Sequence, residues 1–110
     1  MPFPTLLGEG RRMSSPIVTV VDARVDPARE AELLDGYRQM NAGVKPDGWL
    51  RSELLRGQEG AWRIQTMWRD LDSLIALRQS GVRPAALDLL ERVGAEHSHG
   101  VFTVELSFED

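Results

Sequence analysis

The chain of 110 residues contains no cysteine and a single lysine. Without cysteine it can form no disulfide, offer no thiolate nucleophile and build no cysteine-ligated metal site. The lysine, Lys45, lies in a Gly-Val-Lys-Pro stretch that is typical of a loop. Schiff-base chemistry requires a buried lysine of lowered pKa, so this class of enzyme has a poor candidate here.

Long apolar runs and an excess of positive charge are also missing. No stretch approaches the roughly 18 apolar residues of a membrane helix, and the N-terminus lacks the pattern of a signal peptide. The net charge is -4, from 17 acidic and 13 basic residues, which argues against a nucleic-acid or anionic-membrane surface. We therefore expect a cytoplasmic protein that binds neither nucleic acid nor membrane.

Residues 1–15 are rich in proline, glycine and serine and show no periodicity. This composition predicts a flexible N-terminal lead-in. The remaining chain, residues 16–110, is long enough for one domain with its own core but not for two.

The clearest pattern runs from Ala61 to Asp70 and predicts a β-strand, because side chains of two kinds alternate. One face carries Trp62, Ile64, Thr66 and Trp68, and the other carries Arg63, Gln65, Met67 and Arg69. Asp70 closes the strand and is a favourable N-cap for a helix over Leu71–Gln79.

Other segments complete a β-α-β-β-α(α)-β order. We predict strands over Ile17–Val25, Gly48–Arg56 and Val101–Phe108. We predict one helix from Pro27 to about Asn41, with Asp26 as its N-cap, and another onward from Pro84. Between these elements we predict a hairpin turn at Gly57–Gly60 and a polar connection over Gly94–Gly100. Alternation in the second strand puts Trp49 on the face of Arg51, Glu53 and Leu55.

This order is that of an α+β, ferredoxin-like βαββαβ sandwich with a four-stranded antiparallel sheet. Right-handed crossovers place the first and third strands in the middle. The helices cover one sheet face, and Val18, Val20 and Met67 make the other face too apolar to be left to water. We therefore expect a homodimer that packs the two helix-free faces together.

The stretch Asp47–Ser80 resembles the antibiotic biosynthesis monooxygenase family of dimeric α+β barrels. The likeness is carried by the turn Pro46–Gly48, by Glu53–Leu55, by the glycine-containing hairpin, by the strand-ending Trp68 and by the acidic helix start at Asp70 and Asp72. It extends over about Pro16 to Phe108. The resemblance implies a dimeric barrel and, for some members, cofactor-free oxidation of anthrones to quinones, while other members degrade haem.

The residues characteristic of these members are matched only in part. The strand-ending tryptophan corresponds to Trp68, but the asparagine that the quinone-forming members have four residues earlier is here Ile64. In the haem-degrading members, the first-strand asparagine falls near Asp22 or Ala23. Their iron-ligating histidine corresponds to about Leu87, which cannot ligate iron. We therefore expect no haem and no other cofactor.

Two interpretations of the Trp68 face remain open. Trp62, Ile64, Thr66, Trp68 and Leu87 either line a pocket for a flat apolar molecule or are ordinary core, since aromatic side chains dominate core burial. The only candidates for a catalytic role are Trp68 and Asp22. A carboxylate inside an apolar strand either has a raised pKa and serves as a base or pairs with Arg24, Arg63 or Arg69.

His97 and His99, with Glu96, form a Glu-His-Ser-His cluster that offers two imidazoles to a metal. The chain has no further histidine and no cysteine to complete the shell, so surface histidines are favoured and no metal is expected. The function predicted is a cofactor-independent monooxygenase that acts on a small phenol- or anthrone-like aromatic. The alternative is a non-catalytic dimeric module of the same fold that binds a small molecule or a partner.

Overall fold

The computed structural model describes residues 15–110. The predicted lead-in therefore lies, apart from Ser15, outside the described residues. The elements are β1 (Ile17–Arg24), a 3-10 turn (Pro27–Arg29), α1 (Glu30–Met40), β2 (Trp49–Arg56), β3 (Ala61–Trp68), α2 (Leu71–Gln79), α3 (Ala85–Arg92) and β4 (Glu96–Thr103).

The four strands form one antiparallel sheet in the order β2-β3-β1-β4. This order, with β1 and β3 in the centre and helices on one face, is the ferredoxin-like α+β fold that the sequence predicts. Val21 in β1 pairs with Ile64 on one side and with His99 on the other. These three residues therefore form one row across the helix-covered face.

Local sequence signals account for the helix starts and the hairpin. Asp26 accepts a hydrogen bond from the Ala28 N–H at 2.9 Å, and Asp70 accepts one from the Ser73 N–H at 2.8 Å, so both predicted N-caps are confirmed. In the hairpin between β2 and β3, Glu59 and Gly60 have φ values of 54° and 80°. Glycine adopts this left-handed conformation without steric cost, which explains its place in the turn.

The core lies between the sheet and the helices and consists of two separate groups of buried residues. The larger group, which we name the Trp62 cluster, is formed by Val21, Ala23, Val25, Leu33, Trp62, Ile64, Leu89, Leu90 and Val93. The smaller one, the Trp68 cluster, is formed by Ile17, Trp68 and Leu74, with Trp49 and Leu77 packed against it. The sheet is thus covered at both ends by different sets of side chains.

The last strand is β4, Glu96–Thr103, and not Val101–Phe108 as predicted. The correction follows from pairing: β1 has eight residues, and these pair with β4 from Arg24 opposite Glu96 to Ile17 opposite Thr103. The Val104 N–H makes the last bond, to the Pro16 carbonyl at 2.9 Å. Residues 104–110 then leave the sheet, although their apolar alternation is the stronger local strand signal.

The side of the sheet on which Trp49 lies also differs from the prediction. A β-bulge interrupts the β2–β3 register between Trp49 and Arg51, so that Trp49 pairs with Trp68 while Arg51 pairs with Met67. A bulge adds one residue to one strand and shifts its alternation. Trp49 consequently packs on the helix-covered face with Trp68, and not on the face of Arg51.

The helix-free face combines apolar and charged side chains. Phe102 is 59% exposed and Leu55 41% exposed, and Leu106 and Phe108 beyond β4 are almost fully exposed. Val18 and Met67 on the central strands are partly exposed. Among the described residues, no helix has the length and apolarity needed to cross a membrane.

Candidate functional site: a cavity beside Trp68

A cavity of about 300 Å³ opens on the helix-covered face, between the Trp62 and Trp68 clusters. Its floor is the sheet, through Thr19, Val21, Ile64, Thr66, Trp68 and His99. Its walls come from the α1–β2 segment, α2, the α2–α3 loop and the start of α3, through residues that include Lys45, Trp49, Leu74, Leu77, Arg83 and Leu87. The volume is at the lower end of the range, about 300–1,000 Å³, that is typical of small-molecule sites.

The floor of the cavity holds Trp68 through two threonines. The Trp68 indole N–H donates to the Thr19 hydroxyl at 3.0 Å, and that hydroxyl lies 3.5 Å from the Thr66 carbonyl oxygen to which it donates. Thr19 and Thr66 are direct neighbours across β1 and β3. The indole is therefore fixed by a hydrogen bond inside the protein and is not left to rotate.

A second chain of hydroxyl groups leads from the floor to α1. The Thr66 hydroxyl lies 3.3 Å from the Ser52 hydroxyl, which in turn accepts a hydrogen bond of 2.6 Å from the Tyr37 hydroxyl. These groups are partly buried, and pairing them with one another avoids the cost of unsatisfied polar atoms beside an apolar cavity.

The cationic groups that line the cavity have unequal surroundings. The Arg83 guanidinium pairs with Asp88 at 2.6 Å and with Glu91, so two carboxylates balance its charge. The Lys45 ammonium donates to the backbone carbonyls of Asn41, at 2.5 Å, and Gly43, at 2.9 Å. It also lies 5.1 Å from the centre of the Trp49 ring, a cation–π distance.

The titratable group of the floor is His99, at the β4 edge of the sheet. Its side chain is exposed. Within residues 15–110, no aspartate or glutamate lines the cavity. The cavity is therefore apolar with a small number of hydroxyl and cationic groups.

The five residues predicted to line a pocket fall into two groups. Ile64, Thr66, Trp68 and Leu87 line the cavity. Trp62 lies outside it, buried in the cluster that carries its name and covered by the Arg56 guanidinium at 4.3 Å from the ring centre. Its indole N–H has no hydrogen-bond partner among the described residues.

Asp22 lies on the opposite face of the sheet from the cavity. Both of its carboxylate oxygens accept hydrogen bonds from Arg63, at 2.7 and 3.1 Å, and its side chain is 48% exposed. The pair raises the pKa of the Arg63 guanidinium, chiefly through the hydrogen bond. Of the two interpretations of Asp22, the structure therefore shows the ion pair, with Arg63 as the partner.

His97 and His99 both lie on the helix-covered side of β4, opposite Ala23 and Val21. His97 lies at the Trp62 end: its Nε2 is 4.0 Å from Glu91, and its buried Nδ1 has no hydrogen-bond partner within residues 15–110. In the described part of the chain, no group of three His, Cys, Asp or Glu side chains is placed to hold a metal ion. The two imidazoles therefore differ in surroundings, and it is His99 that lines the cavity.

Trp49, Lys45 and His99 line the cavity although the sequence did not predict them there. Predicting the position of Trp49 requires knowledge of the β-bulge in β2, and the residue pattern of a single strand gives no signal for a bulge. Predicting the position of His99 requires the correct bounds of β4, which are determined by its pairing with β1. Lys45 was recognised as the single lysine, but its position in a loop hid its proximity to the pocket.

An apolar cavity with a few polar groups is the kind of place in which small-molecule sites occur. The family model for antibiotic biosynthesis monooxygenase matches residues 16–92. The chain therefore belongs to the antibiotic biosynthesis monooxygenase family. A search of curated protein sequences returned no match.

Solved structures with the same fold include SnoaB, a cofactor-independent oxygenase from Streptomyces nogalater, in a mutant form. It shares 21% identity with this chain, covers 87% of this chain and 99% of its own, and superposes with a TM-score of 0.67. A heme-degrading protein from Mycobacterium tuberculosis shares 22% identity over 88% and 99% of the two chains, with a TM-score of 0.65. A putative antibiotic biosynthesis monooxygenase from Caulobacter crescentus shares 20% identity over 86% of this chain and 93% of its own, with a TM-score of 0.62.

Haem is the cofactor that part of this family suggests, and the position of its iron ligand decides whether it fits here. Leu87, to which the resemblance assigns the iron ligand, presents an alkyl side chain to the cavity. An alkyl group cannot coordinate iron, so the residue at that position does not fit haem.

Proposed function

We propose that this protein binds a flat aromatic molecule in the cavity beside Trp68 and oxidises it with molecular oxygen, without a cofactor. The observation that carries the proposal is the cavity itself: two neighbouring indoles, Trp49 and Trp68, line it together with the alkyl side chains of Ile64, Leu74 and Leu87. Aromatic rings bind between such surfaces by stacking and by burial of apolar area.

The chemistry proposed requires little of the protein beyond positioning and removal of a proton. An electron-rich phenol or anthrone, once deprotonated, reacts directly with oxygen. In the anthrone case the methylene becomes a carbonyl, one atom of O₂ enters the product and the other leaves as water with the two methylene hydrogens. The cavity supplies orientation and exclusion of water, and the His99 imidazole is the lining side chain positioned to act as the general base.

The test is oxygen uptake with a panel of anthrones and hydroquinones, combined with quenching of tryptophan fluorescence to measure binding. We expect Trp68→Phe to weaken binding and uptake. Trp62→Phe is the matched control, since it changes the same residue type on the same strand outside the cavity. Loss of binding in both variants, or in neither, would contradict the assignment of the cavity.

The alternative, a non-catalytic binding module, is favoured by one observation. The polar groups of the floor are satisfied by one another, with Trp68 bonded to Thr19 and Thr66 to Ser52, and the family's asparagine position is the alkyl Ile64. Aromatic binding that Trp68→Phe weakens, without oxygen uptake for any of the panel, would support the module over the enzyme.

We further propose that the protein is a homodimer packed through the helix-free face. Exposed Phe102 and Leu55 on that face, and Leu106 and Phe108 just beyond β4, support a second copy of the chain as the occupant. Light scattering should give twice the chain mass of 12.3 kDa, and Phe102→Glu should shift the species toward the monomer. A single monomer mass for the parent across micromolar concentrations would refute the dimer.

A further inference from the structure

The charge of the cavity lining differs from that of the chain as a whole. The chain has 17 acidic residues against 13 basic ones, yet no carboxylate of the described residues lines the cavity, while Lys45, Arg83 and His99 do. This distribution favours a negatively charged ligand, because a cation that no carboxylate neutralises creates a positive potential in an apolar cleft.

Of these three groups, Lys45 carries the positive charge that is available to a ligand. Arg83 is held by Asp88 and Glu91, and His99 is charged only when protonated. Lys45 is half-buried, donates hydrogen bonds to the carbonyls of Asn41 and Gly43 and lies beside the Trp49 ring; within residues 15–110 it has no carboxylate partner. An ammonium has three N–H donors, so one remains for a ligand.

We propose that the natural ligand of this cavity is an aromatic carboxylate, with its ring system between Trp49 and Trp68 and its carboxylate on Lys45. This inference rests on the proposed binding function and names its ligand class. A carboxylate is favoured over a phenol because it is fully ionised at neutral pH, whereas a phenol of ordinary pKa near 10 is not. The position of Lys45 beside the Trp49 ring places charge and aromatic surface together.

The experiment compares 2-naphthoate with its neutral isostere 2-naphthamide by isothermal titration calorimetry at low ionic strength. A charge-assisted hydrogen bond changes affinity by about tenfold or more, so 2-naphthoate should bind about tenfold more tightly than 2-naphthamide. In 1 M salt the difference in affinity between the two probes should be smaller, because salt screens the charge of Lys45. Lys45→Met should reduce naphthoate affinity to that of naphthamide and leave naphthamide unchanged. Lys45→Arg should retain the preference.

Arg78→Met is the matched control, because it removes the positive charge of an exposed α2 residue that does not line the cavity. It should leave both affinities unchanged. Equal binding of the two probes by the parent, or a preference that survives Lys45→Met, would overturn this inference and leave aromatic binding intact. Failure of both probes to bind would overturn the proposed function as well. If Lys45→Met does not fold, the parent's preference and its salt dependence decide the question.

Discussion

Two tryptophans on one strand have different surroundings, although they are six residues apart on the same face of β3. Trp62 is 4% exposed and Trp68 is 7% exposed, so burial alone does not distinguish them. Trp62 lies in a group of nine buried residues, whereas Trp68 lies in a group of three, next to the cavity. The comparison shows that a buried aromatic residue can belong either to a filled core or to the wall of a site.

The difference arises from how closely the helices approach. At the Trp62 end, α1 and α3 meet where Gly36 faces Leu89: a Cβ built on Gly36 would lie 2.3 Å from the Leu89 Cδ1. Absence of a side chain at this position allows the two helices to close over the sheet. At the Trp68 end, loops and the start of α3 form much of the cover, and a cavity remains.

The largest expected effect comes from truncating the two tryptophans. Trp62→Ala should lower the free energy of unfolding by about 3–5 kcal/mol, as for large aromatic side chains in a filled core. Trp68→Ala should cost about 3 kcal/mol, the lower end of that range, because fewer packed atoms surround Trp68. Urea denaturation measures both. Equal losses would show that Trp68 is also ordinary core.

A smaller effect is expected where α1 meets α3. Gly36→Ala should destabilise the protein by about 1 kcal/mol, because an overpacking cost of about 1–3 kcal/mol exceeds the gain in helix propensity of about 1 kcal/mol. Gly43→Ala is the control, since a Cβ added there would meet open space and its φ is not positive. Stability measured by urea denaturation should change for Gly36→Ala only, and a stabilised Gly36→Ala would show that the contact is not tight.

The smallest effect concerns acid and the helix beside the cavity. Hydrogen bonds from the Ser73 hydroxyl and N–H, with a smaller effect of Arg69, lower the pKa of the Asp70 carboxyl. Because the folded-state pKa is lowered, the N-cap stabilises α2 above the ordinary pKa of about 4 and loses this effect as the pH falls through the lowered value.

We therefore expect 2-naphthamide, which carries no charge, to bind more weakly below about pH 4 as the wall of the cavity loosens. Asp70→Asn is the matched variant, since asparagine also caps helices but does not titrate. Its binding of 2-naphthamide should depend less on pH over this range. The same pH dependence in parent and variant would assign the effect to other carboxylates.

The fold was predictable because its signals are local and repeated. Alternation in β3, aspartate caps at Asp26 and Asp70 and the glycine-containing hairpin each determine an element, and the order of elements restricts the topology. The cavity was predictable only in part. The β3 residues that line the cavity can be predicted from the alternation of the strand. The position of Trp49 depends on a bulge, and that of His99 on the register of β1 with β4. Neither the bulge nor the register is encoded in a short stretch of sequence.

The β2 bulge makes the lining of this cavity depend on how β2 pairs with β3. Because alternation along a strand has a period of two, regular pairing of Leu50 with Trp68 would return Trp49 to the face of Arg51, on the opposite side of the sheet from the cavity. One indole would then leave the cavity without any substitution of a lining residue. Loss of the bulge would therefore change the width of the cavity while the fold stays the same.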